Sequence, residues 1–247
     1  MAALRIVDLG RRLTVAPLPI RRIVIGVPDP DRAREFWELF GYRSVGDSLR
    51  CERGADIELR RSVAAGPVRV GWDLGPRGLD LYVSDLDAAR RRLGEAGLDT
   101  GPVADITVGP VRMRQCATLG TAGEPVVMVE SSHRRPSLLE DDPSRWCSEV
   151  YSVVWCVASR DAGSAEWAAR GATLGPPLAF SDSSMGPYLS LPVADATLEM
   201  VTVTDETGSS TRLELLSFPG RDHREVRSDA GVVEIEFADG SSWTASP

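Results

Sequence analysis

Residues 26–42, GVPDPDRAREFWELFGY, combine an Asp-Pro-Asp step, apolar residues at helical spacing and a closing Gly-aromatic pair. Asp29 is placed to accept hydrogen bonds from the free N–H groups of a first helical turn, and Pro30 suits the first helical position. Ala33, Phe36, Trp37 and Phe40 recur at i, i+3, i+4 and i+7, which gives the helix one apolar face. Gly41 predicts the stop, because glycine takes the left-handed cap conformation without a Cβ clash. The preceding RIVIGV, Arg22–Val27, is rich in β-branched residues and reads as a buried strand.

The unit of strand, helix and stop recurs. Leu81–Leu98, LYVSDLDAARRRLGEAGL, has Val83, a capping Asp85, an apolar face of Leu86, Ala89, Leu93 and Ala96, and a stopping Gly97. Trp155–Ala172, WCVASRDAGSAEWAARGA, has Val157, a capping Ser159, Ala162, Ala165 and Ala169 at helical spacing, and a stopping Gly171. In all three copies the cap and the stop lie twelve positions apart and a valine lies two before the cap, so the chain contains an internal repeat.

Each copy continues with short segments broken by Gly, Pro or Asp: YRSVG, SLRCERG and ADIELRRS; then ITVGPVRMRQCATLG and GEPVVMVES; then LGPPLAFSD, PYLSLPV and ATLEMVTVT. The copies therefore read as βαβββ. The tail from Thr211 offers a strand, a polar turn and a strand around VVEIEFADG, a fourth copy whose helix is worn down, and MAALRIVDLGRRLTV adds an edge strand. Ser132–Ser148 is polar and acidic without periodicity. It predicts a linker at 133–148 between a domain at 1–132 and a second at 149–247, an α+β chain of tandem modules forming two cupped mixed sheets.

The 247 residues suffice for two modest cores or one large one. No apolar run approaches a membrane span and no signal peptide is evident, which predicts a cytoplasmic protein with no membrane partner. The net charge of -8 is spread along the chain and repels phosphate backbones, which argues against nucleic acid as a partner. All 28 basic residues are arginine, so no Schiff-base lysine exists. The lack of lysine and asparagine, with their A-rich codons, points to a GC-rich bacterium. Cys51, Cys116, Cys147 and Cys156 form no C-x-x-C pair, and only His133 and His223 are available for a metal site or a Ser-His triad.

Paired βαβββ modules with a V-x-D cap before the helix and a Gly-aromatic stop resemble the vicinal-oxygen-chelate superfamily, which includes glyoxalase I, bleomycin-resistance proteins and extradiol dioxygenases. The resemblance implies that two modules curl into an open cup, usually holding a divalent metal on ligands from their first and last strands. The first-strand position, seven before the cap, falls on Arg22, Gly78 and Ser152, with Leu213 in the degenerate copy; the last-strand glutamate falls on Glu58, Val127, Glu199 and Glu234. Arginine, glycine and valine cannot hold a metal, so no metal or other cofactor is expected. One cup then unites Arg22, Glu58, Gly78 and Val127, with Arg22 pairing Glu58 and with Asp56, Arg60, Asp80 and Tyr82 on the same face. The other unites Ser152, Glu199, Glu234 and Leu213, whose two carboxylates share a proton, bind a weak metal, or face solvent and arginines.

Trp37 and Trp167 read as core, while Trp72 and Trp155 either fill the core or stack on a planar ligand. Gly175–Tyr188, with Phe180 and Met185, is either a lid over the second cup or a surface loop. The leading functional expectation is small-molecule binding, of a natural-product or antibiotic-like ligand, in a protein that has lost the family's metal. The alternative is a metal-independent isomerase, cyclase or lyase of secondary metabolism, in which Glu58 or the Glu199 and Glu234 pair moves a proton and Arg22 stabilises an oxyanion. A third is an interaction module whose cups have closed over. Family relatives often pair, which leaves a homodimer open.

Overall fold

A computed structural model describes residues 19–63, 71–181, 197–205, 211–226 and 228–245. The expected N-terminal edge strand, the PYLSLPV strand and Met185 lie outside the described residues. The first module runs β1 (Ile20–Val27), α1 (Pro30–Leu39), β2 (Arg43–Val45), β3 (Ser48–Arg50) and β4 (Asp56–Arg61). The second runs β5 (Gly75–Val83), α2 (Leu86–Glu95), β6 (Ala104–Val108), β7 (Val111–Leu119) and β8 (Pro125–Ser131). A short helix α3 (Leu138–Asp141) leads into β9 (Cys147–Cys156), α4 (Arg160–Ala169), β10 (Thr173–Leu174), β11 (Leu178–Ser181), β12 (Thr197–Thr204) and β13 (Arg212–Ser217). The chain closes with β14 (Gly231–Phe237) and β15 (Ser242–Thr244).

The repeat's punctuation is physical. Asp29, Asp85 and Ser159 accept backbone N–H bonds from the first turns of α1, α2 and α4. Gly41, Gly97 and Gly171 stop these helices at φ of 82°, 76° and 84°. Gly41 is doubly constrained, because a Cβ there would stand 2.6 Å from an Arg145 guanidinium nitrogen. The apolar face of α1 is buried as expected, and so are Leu86, Ala89 and Leu93 of α2, whereas Ala96 at its C-terminal end is exposed. The expected face of α4 is not buried: Ala162, Ala165 and Ala169 are exposed, and Trp167 is the residue α4 buries. The larger apolar surface of a tryptophan outweighs three methyl groups.

The strands form two mixed sheets, β15-β14-β1-β4-β3-β2 and β10-β12-β13-β9-β5-β8-β7-β6, with β11 added on β12; the larger sheet curls so that residues of β6 and β12 share one apolar cluster. This pairing corrects the expected division. β1 pairs antiparallel with β14 (Ile23 with Ile235), so the first and last modules share the smaller sheet, and β5 pairs antiparallel with β9 (Asp80 with Ser152), so the middle two share the larger. β13 lies parallel to β9, which makes it the last strand of the third module rather than the first of the fourth.

Residues 133–148 accordingly connect two strands of one sheet instead of separating domains. Their polar composition conceals a packed turn. Ser137 and Glu140 form a capping box, Leu138 and Leu139 are buried, and the Leu138 N–H donates to Glu149 (2.9 Å). Trp146 Nε1 and Arg145 Nη2 then donate to the carbonyls of Leu39 and Phe40 at the end of α1 (3.0 and 3.3 Å), satisfying acceptors a helix terminus leaves unpaired.

One core joins the sheets through their helix-bearing faces. It contains Ile23 and Ile25 of β1, Phe36 and Trp37 of α1, Leu79 and Leu81 of β5, Val153 and Trp155 of β9, and Ile235 and Phe237 of β14. Trp155 is therefore core, its ring 4.6 Å from that of Trp243 in a T-shaped contact. Polar ties cross this core at an irregularity of β9, where the Val150 N–H donates to Tyr42 Oη (3.1 Å) and the Val150 carbonyl accepts from Thr211 Oγ1 (2.8 Å). Tyr42 is fully buried, so a phenylalanine there keeps the ring and strands the Val150 N–H. Tyr42→Phe should lower the stability measured by urea unfolding by about 1–3 kcal/mol with an unchanged m-value.

Candidate functional site

Side chains alternate along each strand, so the residues opposite the shared core mark the two outer faces. On the smaller sheet these are Arg22 on β1, Glu58 and Arg60 on β4, and Glu234 and Glu236 on β14. They form one ionic network. Arg22 Nη1 donates to Glu58 Oε2 (2.7 Å) and Nη2 donates to Glu236, while Arg60 Nη2 bridges Glu58 Oε1 (3.3 Å) and Glu234 Oε2 (3.0 Å). Desolvation works against the Arg60 charge, but the bonds from Glu234 and Glu58 outweigh it and hold its pKa above the ordinary value. Asp56 is paired with Arg50 instead (3.1 Å).

The larger sheet carries a different cluster. In register across four neighbouring strands stand Val127 (β8), Asp80 (β5), Ser152 (β9) and Arg212 (β13), with Glu214 two residues beyond Arg212. Arg212 donates to Glu214 and lies over the ring of Tyr151, which stacks on Tyr82 with centroids 3.7 Å apart and planes 4° from parallel. Asp80, Ser152, Glu214, Tyr82 and Tyr151 are all buried. Asp80 Oδ1, Ser152 Oγ and Arg212 Nε are buried and have no hydrogen-bond partner among the described residues. Burial first, and the like charge of Glu214 second, push the Asp80 carboxyl well above the ordinary range against the opposing pull of Arg212.

These placements regroup the expected site residues. Arg22, Glu58, Arg60 and Glu234 come together, but Asp80, Tyr82 and Ser152 belong to the other sheet, and Asp56 is drawn to Arg50. Glu199 and Glu234 do not face each other. They lie in different sheets, and Glu199 points to the side of Val201 and Val203, where it accepts from Ser217 Oγ (3.4 Å). Trp72 precedes β5, makes a T-shaped contact with Phe218 at 6.1 Å and has the Arg221 guanidinium over its face. Phe180 packs into the same apolar cluster at the end of the larger sheet's outer face. Glu214, Arg212 and Tyr151 were not anticipated, although the L-E-L of Leu213–Leu215 repeats the I-E-L of Ile57–Leu59.

The donor sets do not fit the metal that the family resemblance implies. On the smaller sheet each carboxylate of the network is engaged by a guanidinium, and on the larger one two carboxylates stand beside Arg212, whereas a hard divalent ion needs several oxygen ligands free of competing cations. Among the described residues no group of three or more His, Cys, Asp or Glu could hold a metal ion. No described helix is long and apolar enough to cross a membrane.

Solved structures with the same architecture include glyoxalase I from Zea mays, at 15% identity over 87% of this chain and 72% of that one with a TM-score of 0.57. A mutant of the same maize enzyme gives 16% identity, the same coverage and a TM-score of 0.58. A mutant of 4-hydroxymandelate synthase from Streptomyces coelicolor matches at 12% identity over 81% of this chain and 70% of that one, with a TM-score of 0.47. No protein-family model matches the chain, and no curated protein matches it at a significant level. The chain has a glyoxalase-like fold.

The electrostatics of Asp80 set a pH dependence. Its pKa is raised in the folded state, so the favourable, protonated state of the site is fully present below the unfolded carboxylate pKa and is lost as pH rises through the folded value. Asp80→Asn should remove this component: measured by thermal unfolding across a pH series, wild type should lose stability with rising pH relative to the variant. Parallel curves would mean that Asp80 is not held protonated.

Proposed function

We propose that the protein binds a small molecule on the outer face of the larger sheet, at Asp80, Ser152 and Arg212, without a metal. One observation carries the reading: three polar atoms in one register row are buried and without partners among the described residues. Native proteins pair nearly all such groups, because each one left unpaired costs about 1–3 kcal/mol; a bound molecule is the partner this row lacks. The smaller sheet offers less: Arg22 Nε is also buried without a partner among the described residues, but Arg22 Nη1 and Nη2 and both Glu58 oxygens are already turned on their neighbours, so one such atom stands in that network against three in the row.

A second reading, a metal-independent isomerase, cyclase or lyase, has support from the same place. Burial first, and the like charge of Glu214 across β9 second, favour the protonated form of Asp80, the kind of carboxyl expected of Glu199 and Glu234 from sequence alone. Arg22 and Glu58, engaged in ion pairs, are weaker candidates for the oxyanion stabiliser and base.

The test is a thermal-shift screen of a natural-product and metabolite library against wild type and Ser152→Ala. Since Ser152 Oγ has no partner among the described residues, Ser152→Ala should melt at or above the wild-type temperature. A ligand of this site at about one hundred times its Kd should add roughly 2.7 kcal/mol to wild type and much less to the variant. Ligands that stabilise both proteins equally would place binding elsewhere. A ligand that wild type converts and Asp80→Asn binds without converting would select the enzyme reading.

A further inference from the structure

The row's own chemistry, on the reading that it is the binding site, narrows what it takes. An arginine Nε–H can only donate, so the atom facing Arg212 Nε must be an acceptor. The Ser152 hydroxyl donates or accepts as required, and a protonated Asp80 carboxyl donates. Charge is balanced before any ligand arrives. Arg212 is paired with Glu214, and Arg135, the other cation felt by Tyr82, lies within the field of Asp205 and Glu214.

The surroundings are apolar. Val127 and Val129 pack with the Tyr82 and Tyr151 rings on one side of the row, and Val154, Cys156 and Leu216 belong to the cluster on the other. A charged ligand there would bring an uncompensated charge into a dry environment, which costs far more than an uncharged acceptor making the same contacts. Gly78 leaves room for one atom beside the row: a Cβ there would stand in ordinary van der Waals contact with the Pro125 carbonyl oxygen and a Val127 methyl, both at 3.6 Å, and with Asp80 Oδ1 at 3.9 Å.

We propose that Asp80, Ser152 and Arg212 together bind the carbonyl, or another uncharged acceptor oxygen, of a largely apolar neutral molecule, with Gly78 leaving the space that oxygen enters. The ligand's apolar body then lies along the valine-lined floor between the tyrosine pair and the Leu216 cluster.

Three probes of one ring and nearly one shape separate the charge classes: acetophenone, benzoate and benzylamine, titrated at pH 7 into full-length isotope-labelled protein and followed by amide chemical shifts. Acetophenone should perturb the amides of Asp80, Ser152 and Arg212 and bind at least tenfold tighter than the two ions. Ser152→Ala should weaken it about tenfold, and Gly78→Val, checked by its melting temperature to be folded, should abolish the perturbation. Benzoate or benzylamine as the tightest ligand at the row would overturn the neutral-acceptor assignment while leaving a binding site there. No perturbation of the row by any of the three would overturn the assignment and the binding reading together.

Discussion

The antiparallel pairing of β1 with β14 is the constraint on which the rest of the molecule depends. By bringing the end of the chain back to its beginning, it protects one edge of β1 and completes the smaller sheet, an edge that would otherwise present unpaired backbone groups. It also settles the partners of the middle modules. With β1 taken, β5 pairs with β9, and the register of that pair sets Asp80 opposite Ser152. The chemistry of both outer faces follows from these two strand pairings more than from any single residue.

Equivalent positions on the two sheets then reach opposite electrostatic outcomes. On the smaller sheet the first-strand residue is Arg22, and the last module contributes Glu234 and Glu236, so cations and anions meet at a partly exposed surface and neutralise one another. Such pairs hold little free energy each, but as a network they occupy the groups that a ligand or metal would need. On the larger sheet glycine and serine stand at the first-strand positions, and the charged residues enter from neighbouring positions, Asp80 and Arg212, with Arg212 over the Tyr151 ring of the tyrosine pair. Burial there leaves hydrogen-bonding capacity that the described residues do not use.

Local structure was well encoded in the sequence. Each helix start and stop is carried by a residue whose reason is steric or hydrogen-bonding within a few positions: Asp29 and Gly41, Asp85 and Gly97, Ser159 and Gly171. The breaks at Gly46-Asp47 and Gly54 likewise separate β2, β3 and β4. Module pairing was not legible, because the polar stretch at 133–148 resembles a linker in composition and its capped turn becomes visible only when Glu149 and the end of α1 are beside it. The misplacement of β13 had the same origin. Its strand pattern is clear, but whether it closes one module or opens the next depends on a long-range parallel partner, β9. That one shift of assignment puts Glu199 in the place of Glu214, while the unseen pairing of β5 with β9 is what separates Asp80 from Ser152 in the sequence.

The most direct measurement of this account is the set of cross-strand nuclear Overhauser effects in deuterated, amide-labelled protein. The account predicts contacts linking the Asp80 and Ser152 neighbourhoods and, separately, the Arg22 and Glu236 neighbourhoods. Contacts from β1 to β5 in their place, with none from β1 to β14, would contradict it, because the first two modules would then share a sheet and the Asp80–Ser152–Arg212 row would not exist.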